Sequence, residues 1–140
     1  MIKTRDGYRG YIGSRPYFES RTPQHVQNLV IRDYCQRRGL RYLLSATEYA
    51  MPGCFVMLEN VLKELPVLEG IVLYSLFMLP PAAERRRAIY RLALDAGASL
   101  HAALEDIAVA DTAAAAAVED LWLVNQALPH CPKLPAEAMR

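Results

Sequence analysis

Three apolar runs in this chain each end in side chains that could do chemistry. Gly10-Tyr11-Ile12-Gly13 leads into Ser14-Arg15, the run 40–44 into Ser45-Ala46-Thr47-Glu48-Tyr49, and Ile71-Val72-Leu73-Tyr74 into Ser75. A carboxylate beside a tyrosine suits proton transfer, with Glu48 as general base and Tyr49 as acid or orienting group. Such a pair would serve epimerisation, isomerisation or dehydration of a sugar without a cofactor. Ser14 completes the candidate catalytic set. Arg15, next to it, matches a phosphate or carboxylate through bidentate bonding. Plainer roles stay open: Glu48 facing solvent beside a loop-capping Ser45 or Thr47, and Arg15 paired with Glu19.

Further residues are expected to bind. Arg21, with Arg9 and His25, would extend an anion site. Gln24, Gln27 and Asn28 occupy the first turns of a helix, where amides can read sugar hydroxyls through paired donors and acceptors. An ordinary polar helix face explains them nearly as well. Ser45, Thr47 and Ser75 add hydroxyls. His101, set between apolar residues, reads as a core histidine, and Glu105 or Asp106 as a group reaching the same rim. Arg85-Arg86-Arg87 reads as a solvated helix face, because consecutive helical arginines diverge and cannot form one groove-reading surface. No phosphate-cradling glycine loop or metal-ligand spacing appears, so no cofactor and no metal are expected.

The elements that must position these groups follow from punctuation and periodicity. Residues 8–14 read as a strand. Thr22-Pro23 then opens a helix, with threonine as cap and proline at its first position, and Gly39 stops it. A second strand is expected near 40–46, a helix over 54–65 and a third strand over 71–75, apolar enough to be buried on both faces. A helix over 82–96, a strand over 99–104 and a last helix capped by Asp111 and running to 128 complete the order. Strands alternating with helices imply right-handed βαβ units. The expected fold class is therefore α/β, a small three-layer, mostly parallel sheet of about four strands flanked by helices. In such sheets the strand carboxyl ends form the binding rim.

The whole of 1–140 reads as a single domain, with 129–140 a flexible tail. The last helix is apolar around much of its circumference, which suggests a homodimer interface at 111–128. With 53% hydrophobic and 22% charged residues the chain reads as globular. Its net charge of +1 hides an asymmetry, since residues 1–41 carry nine Lys/Arg and three Asp/Glu. That lobe would suit phosphates, sugar nucleotides, nucleic acid or an acidic partner, or is simply a solvated basic face. Three dispersed cysteines, no signal-peptide core and no apolar run of spanning length lead us to expect a cytoplasmic protein with no membrane contact.

Two resemblances enter here. Gly7-Tyr8-Arg9-Gly10-Tyr11-Ile12, Pro23-Gln24-His25-Val26-Gln27-Asn28, Ser45-Ala46-Thr47-Glu48-Tyr49-Ala50-Met51-Pro52 and Tyr74-Ser75-Leu76-Phe77-Met78-Leu79-Pro80 resemble the sporadic carbohydrate cluster proteins, over about residues 7 to 107. That resemblance implies a context of surface-polysaccharide or unusual-sugar biosynthesis, with a sugar or sugar-phosphate ligand or a pathway enzyme as partner. It transfers no catalytic residue. More distantly, the order of Tyr11-Ile12, a Gln-bearing helix ending in Tyr34-Cys35, and Glu69-Gly70-Ile71-Val72-Leu73-Tyr74 is similar to the catalytic domain of serine recombinases, which dimerises through a long C-terminal helix. The recombinase pattern Tyr-x-Arg-Val-Ser is replaced by Tyr11-Ile12-Gly13-Ser14-Arg15, and its later Asp-Arg by Phe77-Met78. Strand cleavage by a serine needs arginines about the phosphate. The resemblance thus implies the fold without recombination, and nucleic acid is not the expected partner.

Overall fold

A computed structural model describes residues 5–14 and 22–128, which form five strands and four α-helices. In chain order these are β1 (Tyr8–Gly13), α1 (Gln24–Arg38), β2 (Tyr42–Glu48), α2 (Val56–Lys63), β3 (Gly70–Leu73), α3 (Ala83–Asp95), β4 (Ser99–Ala102), β5 (Ile107–Val109) and α4 (Thr112–Ala127). The sheet order is β2-β1-β3-β4-β5, parallel except for β5, which runs antiparallel to β4. The chain moves outward from β1 to β2, then returns past β1 to β3. Strand order therefore reverses between β1 and β3, where such sheets open a crevice at the carboxyl ends.

Register assigns the two faces. Gly10 lies level with Ser45 and Val72, and Val72 with His101, so these share one face. Helix α1 covers it, and its Tyr34 hydroxyl meets His101 Nδ1 at 2.6 Å. Tyr11 lies level with Ala46 and Leu73 on the other face, toward α2 and α3. Tyr11, Tyr34, Ile31, Ile71 and Val72 are fully buried between these layers. Burial of each such side chain contributes about 1.5–3 kcal/mol.

The differences from the sequence reading have local causes. Strand β2 starts and ends two residues later than expected, so Thr47 and Glu48 lie within it and not beyond it. Helix α1 begins after Pro23, whose ψ of 148° is extended, and Thr22 supplies no side-chain cap. The helix expected over 54–65 stops at Lys63 and a 3-10 turn, Leu65–Val67, follows, because Pro66 cannot continue the hydrogen-bond ladder. Strand β5 has three residues, too few for an alternation signal; the turn before it holds Asp106 at φ 59°. Gly39, at φ 67°, closes α1 as expected, and Asp111 Oδ1 caps α4 by accepting from the Ala114 N–H (2.7 Å). The segment 129–140 lies outside the described residues.

The arginine run divides three ways. Arg85 pairs with Glu59 (3.2 Å), and Arg87 is exposed. Arg86 is fully buried, which corrects the expectation of a solvated run. Its guanidinium is bonded to both Glu119 carboxylate oxygens and donates to the carbonyls of Pro80 (3.1 Å) and Pro81 (2.6 Å). Tyr90 donates to Glu119 Oε2 (2.9 Å), and Trp122 Nε1 donates to the Leu76 carbonyl (3.1 Å). These contacts lock α4 onto α3 and the turn after β3.

Candidate functional site

Glu48 ends β2 and is 1% exposed. Its Oε1 accepts from the Tyr11 hydroxyl (2.8 Å) and the Leu58 N–H (3.1 Å), and its Oε2 from the N–H groups of Met57 and Tyr49 (3.1 Å each). Met57 and Leu58 belong to the first turn of α2, whose N–H groups have no partners inside the helix. Burial pushes the Glu48 carboxyl up, but the bonds from Tyr11, Met57, Leu58 and Tyr49 outweigh it and hold it below the usual carboxylate range. A general base needs an oxygen that can reach substrate and a pKa nearer neutrality. Glu48 has neither. The geometry makes it an anchor that ties β2, β1 and α2 together. Tyr49 is 53% exposed, and its link to Glu48 is through its backbone N–H.

Gln27 is likewise occupied. It is 2% exposed, its Nε2 donates to the carbonyls of Gly13 and Thr22 (2.8 Å each), and its Oε1 accepts from the Gly13 N–H (3.0 Å). One side chain thus clasps the end of β1 and the start of α1, with both of its donors used within the fold. Asn28 Oδ1 accepts a long bond from Tyr42 (3.5 Å), while Gln24 is exposed at the first turn. Ser45 meets the Tyr42 hydroxyl (2.7 Å) beneath Gly10, mid-strand on the α1 face and away from the rim. Thr47 lies level with Ile12 on that face, half-buried. Arg15 and Arg21 lie outside the described residues.

Several polar groups gather at the ends of β1 and β3, where strand order reverses. Ser14, exposed at the end of β1, donates to the Glu48 carbonyl (3.1 Å). Tyr74, just beyond β3, donates to Thr22 Oγ1 (3.2 Å), and Gln27 bonds both Gly13 and Thr22. Next along the rim, Ser75 donates to Glu105 Oε2 (2.8 Å) and Leu76 N–H to Oε1 (2.7 Å), so Glu105 does reach this edge. Ser75 itself is buried and bonded. Thr22, expected only as a helix cap, and Tyr74, named only as the end of an apolar run, were not read from sequence as site residues. Strand order, which places the ends of β1 and β3 side by side, is what reveals them. Phe77 and Met78 turn into the protein, Met78 fully buried and Phe77 edge-on to Trp122 at 5.4 Å.

No family model and no curated protein matches this chain. Among solved structures, the N-terminal catalytic domain of TP901-1 integrase aligns with a TM-score of 0.57, covering 87% of this chain and 97% of that one, at 13% identity. The fold is resolvase-like. At that identity the likeness carries the architecture and nothing of the chemistry. The resemblance to sporadic carbohydrate cluster proteins rests on its residue strings alone. Among the described residues, no helix is long and apolar enough to cross a membrane, and no group of His, Cys, Asp and Glu could hold a metal ion.

His101, the expected core histidine, is 7% exposed, with Nδ1 against Tyr34 and Nε2 against Ser99 Oγ (2.7 Å). Burial, aided by the Arg38 charge, lowers its pKa to about 4. It is neutral at physiological pH and lies on the α1 face, apart from the rim.

Proposed function

We propose that this chain uses a recombinase-type scaffold to bind a small hydroxyl-rich anion, of the sugar-phosphate class, at the crevice between the ends of β1 and β3. The observation that carries this reading is the convergence of Ser14, Thr22 and Tyr74 where strand order reverses. Arg15 and Arg21, between Ser14 and Thr22 in the sequence, are proposed to hold the anionic group. The residue strings shared with sporadic carbohydrate cluster proteins favour a sugar over other anions. Strand cleavage is not part of the proposal, because apolar Phe77 and Met78 replace the Asp-Arg that strand cleavage would use. With Glu48 bonded on both oxygens, any proton transfer would fall to Tyr49 or to a group of the ligand.

A thermal-shift panel of sugar phosphates, sugar nucleotides and short DNA duplexes tests this. A ligand at 100 times its Kd raises stability by about 2.7 kcal/mol. Stabilisation by a sugar phosphate that is lost in Arg15→Ala and in Tyr74→Phe is the expected outcome. Silence across the sugars, or a response to DNA alone, would remove the proposal. We further propose that α4 pairs with a second copy through Leu121, Val124 and Leu128, which are 44%, 58% and 58% exposed and share one stripe. A monomer by sedimentation at 100 micromolar would contradict it.

A further inference from the structure

Between α3 and α4 the surface opens into a groove of about 480 Å3. Arg87, Tyr90, Arg91 and Leu94 of α3 form one wall, and Ala116 and Leu123 stand on the other. Spacings of three and four put each set on one helix face. The Arg86–Glu119 lock on the adjacent faces fixes the walls. The groove exists because α4 carries alanines at 115 and 116, where longer side chains would fill it. The alanine run 113–117 thus has a structural consequence beyond the packing of Ala114 and Ala115 against the core. The volume lies within the roughly 300–1,000 Å3 of small-molecule sites.

The charges on the walls are not equivalent. Glu119 reaches the groove, but its carboxylate is bonded to Arg86 and Tyr90. Arg87 and Arg91 stand one turn apart, and neither enters an ion pair among the described residues. Asp95 and Asp120 also line the groove, likewise outside any such pair. Two guanidinium groups therefore share the groove with apolar Tyr90, Leu94 and Leu123, and such groups pair with carboxylates and sulfonates.

We propose that this groove binds an amphipathic organic monoanion. Its carboxylate or sulfonate head would lie on Arg87 and Arg91, and its aromatic or short alkyl body on Tyr90, Leu94 and Leu123. Asp95 and Asp120 bias the site against polyanions, since like charges brought close are repelled. The stripe proposed for pairing, Leu121–Val124–Leu128, lies on a different face of α4, so the two proposals are separable.

The test is fluorescence titration of the full chain with 8-anilinonaphthalene-1-sulfonate, with decanoate as competitor. The expected result is saturable one-to-one binding that decanoate displaces, in a protein whose melt stays cooperative. Arg91→Glu should weaken binding about tenfold or more, the order of a lost charge-assisted hydrogen bond. Ala116→Leu should do the same by filling the groove, while Arg85→Gln, outside it, should retain wild-type affinity. If Ala116→Leu does not fold, Arg87→Glu and Arg91→Glu, at exposed positions, still decide the matter. Unsaturable binding that is equal in every variant would overturn the proposal. So would binding that vanishes as the protein dimerises, because a second copy would then occupy the groove.

Discussion

Replacing Glu48 by glutamine separates an anchor from a base. Oε1 accepts from the Tyr11 hydroxyl and the Leu58 N–H, and Oε2 from the Tyr49 and Met57 N–H groups, at 2.8 to 3.1 Å, with the Cys54 thiol also on Oε2 at 3.7 Å. An amide keeps one acceptor and puts an NH2 in place of the other. With the NH2 on the side of Tyr49 and Met57, two N–H groups face a donor. The milder orientation lets Tyr11 turn its hydroxyl to accept, yet still leaves the Leu58 N–H opposed. One orphaned buried donor costs about 1–3 kcal/mol, and bonds to a charged acceptor weaken when it becomes neutral. Burial alone would favour the neutral amide, but the carboxyl is held below its usual range, so the donors outweigh desolvation. The expected loss is about 2–4 kcal/mol, or roughly 6–15 °C in Tm for a chain of this size. Calorimetry reads this directly, and hydrogen exchange should show the first turn of α2 opening. An exposed base would change stability by no more than about 0.5 kcal/mol. A Tm within about 2 °C of wild type would therefore refute the anchoring role.

Glu119→Ala strands Arg86 in the core and should destabilise by about 3–5 kcal/mol, whereas the double variant Arg86→Met, Glu119→Leu should recover most of that in urea denaturation. His101 has a folded pKa of about 4, below its unfolded value, so its contribution is complete above about 6.5 and is lost as pH falls toward 4. Stability should fall in that window with a slope approaching about 1.4 kcal/mol per pH unit, and His101→Gln should flatten it. A Cβ added at Gly10 would collide with the Ser45 hydroxyl, so Gly10→Ala should cost about 1–3 kcal/mol, with partial rescue by Ser45→Gly.

How much was legible in the sequence depended on the range of the interaction. Gly39, Asp111 and the apolar run at 71–73 act through their own neighbours, and the elements they mark stand close to where they were expected. Strand β5 was missed because three residues carry no period. Thr47 was misplaced because the end of β2 is set by pairing with β1, and no local signal marks it. The strand order that brings the ends of β1 and β3 side by side needs long-range pairing, and polar residues near those ends do not declare their partners. Glu48 and Gln27 looked like chemistry because they are polar, and both turned out to bond the fold to itself. Thr22 and Tyr74 meet across 52 residues of sequence, a distance that periodicity does not bridge.

The central claim is that the crevice between β1 and β3 receives a small hydroxyl-rich anion. Backbone amide NMR during titration with the best-stabilising sugar phosphate tests it most directly. The account predicts saturable shifts concentrated at Gly13, Ser14, Thr22, Tyr74 and Ser75, with α3 and α4 unmoved. Shifts confined to the α3–α4 groove, or none at millimolar ligand, would contradict it.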